Sequence, residues 1–265
     1  MKPVIVSNGA NLPDSSLSST PVSASMELRL TDLPSLCISP LQALYAGQAQ
    51  TGEDGQLHPI DATTRISVDE GLELLRLARE LNAASLLDVG LAYGFSSQFL
   101  LAALVPRGGL LTALDPFQSS DWHGIGRCLA EQTVAALTTN PASCGPLRFQ
   151  WIPEPAHRAL PALEAAGERF DLIFIDGYHR FDDVLIDVTL AARLCRPGSV
   201  IVLHDLWLPA VRSAVAFLEA NRSDLTRLET SCRNLGVFQV QSSDQRNWDH
   251  FVPFVCASDP WLDEV

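Results

Sequence analysis

The residues whose types and spacing can do chemistry fall in four short stretches. The first is Asp88-Val89-Gly90-Leu91-Ala92-Tyr93-Gly94-Phe95-Ser96. Glycines four positions apart let a backbone turn tightly and approach a ligand, and the start of a following helix offers unpaired amide hydrogens. Alone, the loop reads equally as a plain strand-to-helix turn. The second stretch is Asp115, with Pro116 and Phe117 after it. A carboxylate roughly twenty residues past the last glycine of such a loop can accept the hydrogens of two ribose hydroxyls. Jointly the two stretches point to a nucleoside-containing cofactor. The order is DxGxxxG and not GxGxxG, so the glycine that admits a pyrophosphate is missing. A Walker lysine is missing too, because Lys2 is the only lysine beside seventeen arginines.

The third and fourth stretches are Asp176-Gly177-Tyr178-His179 and His204-Asp205-Leu206-Trp207. Two carboxylates and two histidines at successive strand ends would converge on one rim of the sheet, in step with the cofactor loop, which points to a functional role. Singly, an Asp at a strand end is commonplace, and His179 also reads as a surface residue opening the next helix. Phe95, Trp122, His123, Tyr178 and Trp207 are aromatics that can wall a dry pocket at the same rim.

These stretches share a position, since each follows a short apolar run. SLLDV (85–89), LLTAL (110–114), LRFQWI (147–152), DLIFI (171–175) and VIVL (200–203) have the length of strands buried on both faces. Helix-length segments at 96–104, 124–138, 155–166, 181–195 and 208–221 separate them, several ending at Gly or Pro, as at Pro106 and Pro197-Gly198. Strict alternation means right-handed crossovers and a mostly parallel sheet. LTRLET (225–230) and LGVFQV (235–240) then form an antiparallel hairpin at one edge. The expectation is an α/β, Rossmann-like, seven-stranded sheet with helices on both faces, and ligands bind such sheets beyond the carboxyl ends of the strands.

The rest of the chain divides around that sheet. Residues 1–26, rich in Ser, Pro, Asn and Gly, are expected to be a mobile leader. Residues 27–66, including LQALYAG, are expected to be a helical or lid segment, or an oligomer contact. Ser67 and Glu70 form a capping box ahead of an amphipathic helix over 67–81. The main domain is then 67–241, and 242–265 is a tail that packs on it.

Composition narrows the partners. The 265 residues carry 18 basic and 31 acidic side chains, a net charge of -13, which disfavours nucleic acid and anionic lipid. Six cysteines without a CxxC pair suit a reducing, cytoplasmic setting. No apolar run approaches the roughly 20 residues of a membrane span.

In these residues the chain resembles the class I S-adenosylmethionine-dependent methyltransferases, in the small-molecule group that includes catechol and macrocin O-methyltransferase-like enzymes. The resemblance covers roughly 58–240. It rests on the order of DVGLAYGFSS, LTALDPFQ, WIPEPAHRALPAL, FDLIFIDGYHRFDDV and LCRPGSVIVLHDLW. It implies S-adenosylmethionine as cofactor, with Gly90, Tyr93, Gly94 and Ser96 lining its methionine part, Asp115 on its ribose, Phe117, Ala156 and His157 at its adenine, and Asp88 and Asp176 also among the cofactor-binding residues. It implies Asp176 and Asp205 as ligands of Mg²⁺ or a similar cation, with His204 either a ligand or a packed neighbour. His179 stands where catechol-type members place a basic lysine, so His179, with Asp176, is the expected catalytic pair. The implied reaction is methyl transfer to a small-molecule acceptor, more readily to oxygen than to nitrogen, with a homodimer left open. A nucleotide-dependent oxidoreductase, or a catalytically silent binding protein on the same fold, are the competing readings.

Overall fold

A computed structural model describes residues 33–61, 63–105, 107–139 and 145–256. The leader expected over 1–26 and the last residues of the tail lie outside them. Helix α1 spans Ser35–Tyr45, and a two-residue hairpin follows, β1 (Gln50–Thr51) paired with β2 (Leu57–His58). Next come α2 (Val68–Glu80), β3 (Ser85–Val89), α3 (Phe95–Ala103), β4 (Gly109–Leu114), α4 (Ile125–Thr138) and β5 (Leu147–Ile152). The chain continues through α5 (Ala156–Ala165), β6 (Phe170–Ile175), α6 (Phe181–Arg193), β7 (Cys195–Leu203), α7 (Pro209–Asn221), β8 (Leu225–Leu228) and β9 (Gly236–Val240).

The main sheet runs β5-β4-β3-β6-β7-β9-β8, parallel from β5 to β7 and antiparallel at β9 and β8. Strand order reverses between β3 and β6, which opens a crevice at their carboxyl ends. Register then sets the site. Val89 pairs with Leu114 and with Ile175, and Ile175 pairs with Leu203. Gly90, Asp115, Asp176 and His204 therefore all leave the sheet at one level.

Alternation along the strands divides the core in two. Leu86, Leu172, Phe174, Val200 and Val202 face α1 to α4. Leu87, Ile173, Ile175, Ile201 and Leu203 face α5 to α7. Each fully buried Leu or Phe contributes about 1.5–3 kcal/mol by leaving water. At α2 the capping box forms as expected: Ser67 Oγ accepts from the Glu70 amide, and Glu70 bonds back to the Ser67 amide. Gly71 lets that helix press on α3, because a Cβ there would run into the Phe99 ring.

The structure departs from expectation in three places. β7 begins at Cys195, with Pro197 and Gly198 inside it after a register shift against β6, so that pair does not end a helix. The segment expected as helical or a lid does hold a helix, but α1 is packed into the core, with Cys37, Leu41 and Leu44 fully buried, and it is residues 63–66 that line a cleft. His123 does not join an aromatic rim at that cleft. Its ring stacks on His58 of the β1–β2 hairpin at 3.9 Å.

The described part of the tail lies on α7. Asn221 clamps the Val252 backbone at both its N–H and C=O, and Phe217 meets Phe254. Among the described residues Cys37, Cys128, Cys195, Cys232 and Cys256 are free thiols, and no helix is long and apolar enough to cross a membrane.

Candidate active site

The loop after β3 is shaped by its glycines. Gly90 has φ +102°, and a Cβ there would overlap the Asp176 carbonyl, so only glycine lets the β3 and β6 ends approach this closely. Gly94 caps α3 in the left-handed region. Ala92, at φ +43°, is held there by both its backbone groups: its N–H donates to Asp115 Oδ2 at 2.8 Å, and its C=O accepts from Gln118 Nε2 at 2.8 Å.

Asp115 is the hinge of this half of the site. Its Oδ1 accepts from the Phe117 amide at 2.8 Å and its Oδ2 also accepts from Gln118 Nε2 at 2.9 Å. These donors fix the carboxyl group at the border of the cleft, with lone pairs left over for hydroxyl donors. Gln118 is fully buried and also takes the Arg127 amide on Oε1, at 3.1 Å. Nothing in the spacing of the sequence marks it, since its role depends on a contact 26 residues back in the chain.

The structure corrects the expectation for Asp88. It does not line the cleft; it lies fully buried beneath the loop, its Oδ2 accepting from Ser96 Oγ at 2.8 Å and Ser97 Oγ at 2.6 Å. Its other oxygen has no hydrogen-bond partner. Burial pushes its carboxyl up to about 7, against the pull of the two hydroxyls. Ser96 borders the cleft, but its hydroxyl is committed to Asp88.

The ends of β6 and β7 form a charged cluster. His179 Nε2 lies 3.3 Å from Asp176 Oδ1 and 3.0 Å from Asp205 Oδ2. His204 Nδ1 lies 3.0 Å from Asp176 Oδ1 and 3.2 Å from Asp205 Oδ1. Its Nε2 faces Glu70 Oε2 at 3.4 Å and the Asn234 side chain at 3.1 Å. Burial opposes the charge on His204, but Asp176, Glu70 and Asp205 outweigh it and raise the imidazole to about 11. Against their burial, His204 holds Glu70 down to about 2, and the hydrogen bond from His179, with the charge of His204, holds Asp205 down to about 2. Hydrogen bonds to Asp176 and Asp205 raise His179 to about 9. Asp205 occupies the left-handed region at φ +62°, a strained backbone that cost about 1–3 kcal/mol of folding free energy to keep.

The donor set fits a divalent cation. One atom each from Asp176, His179 and Asp205 lie within 4.8 Å of one another. Separations near 3 Å suit neighbouring ligands around a small cation with bonds of about 2.1 Å. His204 is not in that set and takes the packed-neighbour alternative: its two nitrogens face Asp176, Asp205, Glu70 and Asn234, and it stands behind the two aspartates. His179 takes the third place. Glu70 and Asn234 were not visible as site residues. Glu70 reads as a cap and Asn234 as a turn residue, and only the packing of α2 against the sheet brings them to His204.

Both halves open on one cleft of about 840 Å³. Gly90, Tyr93, Gly94, Ser96, Asp115, Phe117, Ala156, His157, Asp176, His179, His204 and Asp205 all border it. Tyr93 meets Trp122 edge-on at 5.0 Å, and its hydroxyl accepts from the Asp61 amide, tying the loop to the segment before α2. Phe117 meets Tyr178 edge-on at 6.1 Å across the mouth.

Known methyltransferases are similar to this chain in sequence and fold. A family model described as a methyltransferase domain matches residues 87–206. Catechol O-methyltransferase of Mycobacterium tuberculosis is 26% identical over 192 residues, 70% of this chain and 78% of that protein. The O-methyltransferase TomG of Streptomyces achromogenes, involved in tomaymycin synthesis and solved with S-adenosylmethionine, has a TM-score of 0.54 at 23% identity, over 79% of this chain and 91% of its own. An O-methyltransferase of Bacillus cereus, solved with S-adenosylhomocysteine, has a TM-score of 0.56 at 19% identity, over 82% and 97%. The two structures speak to the fold alone. The domain match runs from within β3 to just past β7 and so takes in both halves of the cleft: over those residues the chain is similar to methyltransferase domains.

Proposed function

We propose that this enzyme transfers the methyl group of S-adenosylmethionine to a hydroxyl oxygen of a small-molecule acceptor. The observation that carries the reading is the single cleft that joins the Gly90–Gly94 loop and Asp115 to the Asp176–His179–Asp205 cluster. In this reading the loop cradles the methionine portion, Asp115 takes the ribose hydroxyls, and Phe117, Ala156 and His157 border the adenine. The chain's similarity to a catechol O-methyltransferase supports an oxygen acceptor.

The reaction is an in-line displacement. The acceptor oxygen bonds to the methyl carbon as the carbon–sulfur bond breaks, sulfur keeps the electron pair, and the hydroxyl proton leaves to a base. The sulfonium charge disappears, so a dry cleft favours the step. Asp176, His179 and Asp205 stand where the acceptor's hydroxyl must be oriented. A divalent cation held by those three residues would lower the pKa of a bound hydroxyl. Where no cation occupies its Nε2, His179, freed of its proton, is itself placed to receive the one the hydroxyl loses. His204 keeps both aspartates aimed, and Phe95, Trp122, Tyr178 and Trp207 border the cleft as its aromatic wall.

The test is methyl transfer from S-adenosylmethionine to panels of phenols, alcohols and amines, with and without a chelator, beside calorimetry with S-adenosylhomocysteine and NADH. The reading expects S-adenosylhomocysteine to bind, NADH not to bind, and hydroxyl acceptors to be methylated. Turnover confined to amines, or none with any acceptor, would overturn it.

A further inference from the structure

One carboxyl group at the cofactor end of the cleft has no role in the site as described so far. Asp187 stands on α6 with 5% of its surface exposed, and it borders the cleft. Its Oδ2 lies under Gly177, 3.8 Å from where a Cβ on that glycine would be. Among the described residues it has neither a hydrogen-bond nor an ion-pair partner. A buried carboxyl without a partner works against folding. Burial, with Asp183 one turn earlier, pushes it up to about 7, so its neutral form, which can both donate and accept, is populated near neutral pH.

The two faces of the sheet say which end of the ligand it meets. The charged cluster leans on the face of α2, through Glu70 and the Phe174–His204 contact. Asp187 is on the opposite face, where Val89 and Leu114 join the core of α5 and α6 and Ala156 packs against it. That is the end at which, on the proposed cofactor reading, the adenine lies. Val89, Leu114 and Ala156 offer no side-chain hydrogen bond there. Adenine has one N–H donor group, its exocyclic amine, next to an acceptor, ring nitrogen N1.

We propose that Asp187 is the adenine-reading residue of this enzyme: one carboxyl oxygen accepts from the exocyclic amine, and the other donates its hydrogen to N1. This rests on the S-adenosylmethionine reading of the cleft and adds to it a residue that selects adenine. The unpartnered carboxyl is then a group held ready for its ligand, and its cost to the free protein is offset when the purine edge arrives.

The experiment is calorimetry of the full chain, wild type and the variants Asp187→Leu and Asp187→Asn, with two ligands: S-adenosylhomocysteine and its analogue with unsubstituted purine in place of adenine. Thermal unfolding without ligand accompanies it. Wild type is expected to prefer S-adenosylhomocysteine over the analogue by about tenfold, the value of one hydrogen bond. Asp187→Leu is expected to bind S-adenosylhomocysteine about tenfold or more weakly and to lose that preference. Asp187→Asn keeps a donor and an acceptor and retains most of both. Without ligand, Asp187→Leu is expected to melt above wild type, because a buried polar group is gone. Unchanged affinity in Asp187→Leu, a preserved preference, or a lower melting temperature would each overturn the proposal, the last by showing that the carboxyl holds the fold. Failure of the wild type to bind S-adenosylhomocysteine would instead overturn the cofactor reading beneath it.

Discussion

Gln118 donates its side-chain amide to Asp115 Oδ2 at 2.9 Å, and the same nitrogen donates to the Ala92 carbonyl at 2.8 Å. One buried amide thus fixes the glycine loop and the Asp115 carboxylate relative to each other. Gln118→Leu keeps the volume but leaves the Ala92 carbonyl and the Arg127 amide without that partner. Stability should fall by about 1–3 kcal/mol for the unsatisfied groups. Affinity for S-adenosylhomocysteine should fall by about tenfold, as the Asp115 carboxylate loses its fixed aim. Denaturant unfolding and calorimetry read the two effects separately, and wild-type affinity in a folded Gln118→Leu protein would show that the amide braces nothing the cofactor feels.

Asp88 makes stability depend on pH in an unusual direction for an aspartate. Its folded pKa, pushed up to about 7 by burial, lies above the ordinary value of 3.8. The folded state therefore binds more protons than the unfolded state between those two values. The stability this group lends is complete below about pH 4 and is lost as pH rises through about 7. Asp88→Asn keeps an acceptor for Ser96 and Ser97 and removes the titration. Its unfolding free energy should decline less between pH 4 and 7 than that of wild type, by on the order of a few kcal/mol. Parallel pH profiles for the two proteins would count against the buried, neutral carboxyl.

The fold was legible where a signal is local. Strands buried on both faces read as short apolar runs, and the Ser67–Glu70 capping box needs only four residues to be seen. The ends of β3, β4, β6 and β7 followed, and with them Gly90, Asp115, Asp176 and Asp205. What was not legible depends on faces meeting across the sheet. Glu70 carries a plain capping signature, yet its second oxygen reaches Asn234, 164 residues away, at 3.0 Å. Asp187 reads as one more acid on an amphipathic helix, and only the position of Gly177 above it shows that it faces a cleft. Pro197-Gly198 misled because the punctuation that stops a helix also serves an irregular strand start next to a register shift.

Gly90 separates backbone strain from site geometry. Gly90→Ala meets two costs, a φ of +102° and a Cβ that overlaps the Asp176 carbonyl. Gly47→Ala meets only the first, at φ +66° with nothing within 4 Å of its Cβ. Both should lose about 1 kcal/mol or more to the conformation. Only Gly90→Ala should force the β3 and β6 ends apart and abolish S-adenosylhomocysteine binding. Melting curves and calorimetry on the pair decide it, and a Gly90→Ala protein that binds normally would mean that the loop tolerates a wider gap than the geometry allows.

His179 joins the two aspartates at 3.3 and 3.0 Å, and it stands on the loop between β6 and α6 with part of its ring exposed. Its removal should therefore leave the cofactor half of the cleft intact. His179→Ala is expected to bind S-adenosylhomocysteine as wild type does while kcat falls by about 10²–10⁴-fold, the range for a lost proton acceptor. His179→Gln restores a hydrogen bond to the aspartates but not the basicity, so it should recover folding stability without recovering turnover. That split distinguishes a base from a brace. If His179→Gln regained most of the rate, orientation of Asp176 and Asp205 would be the whole contribution of the histidine, and the proton would have to leave by another group of the cluster.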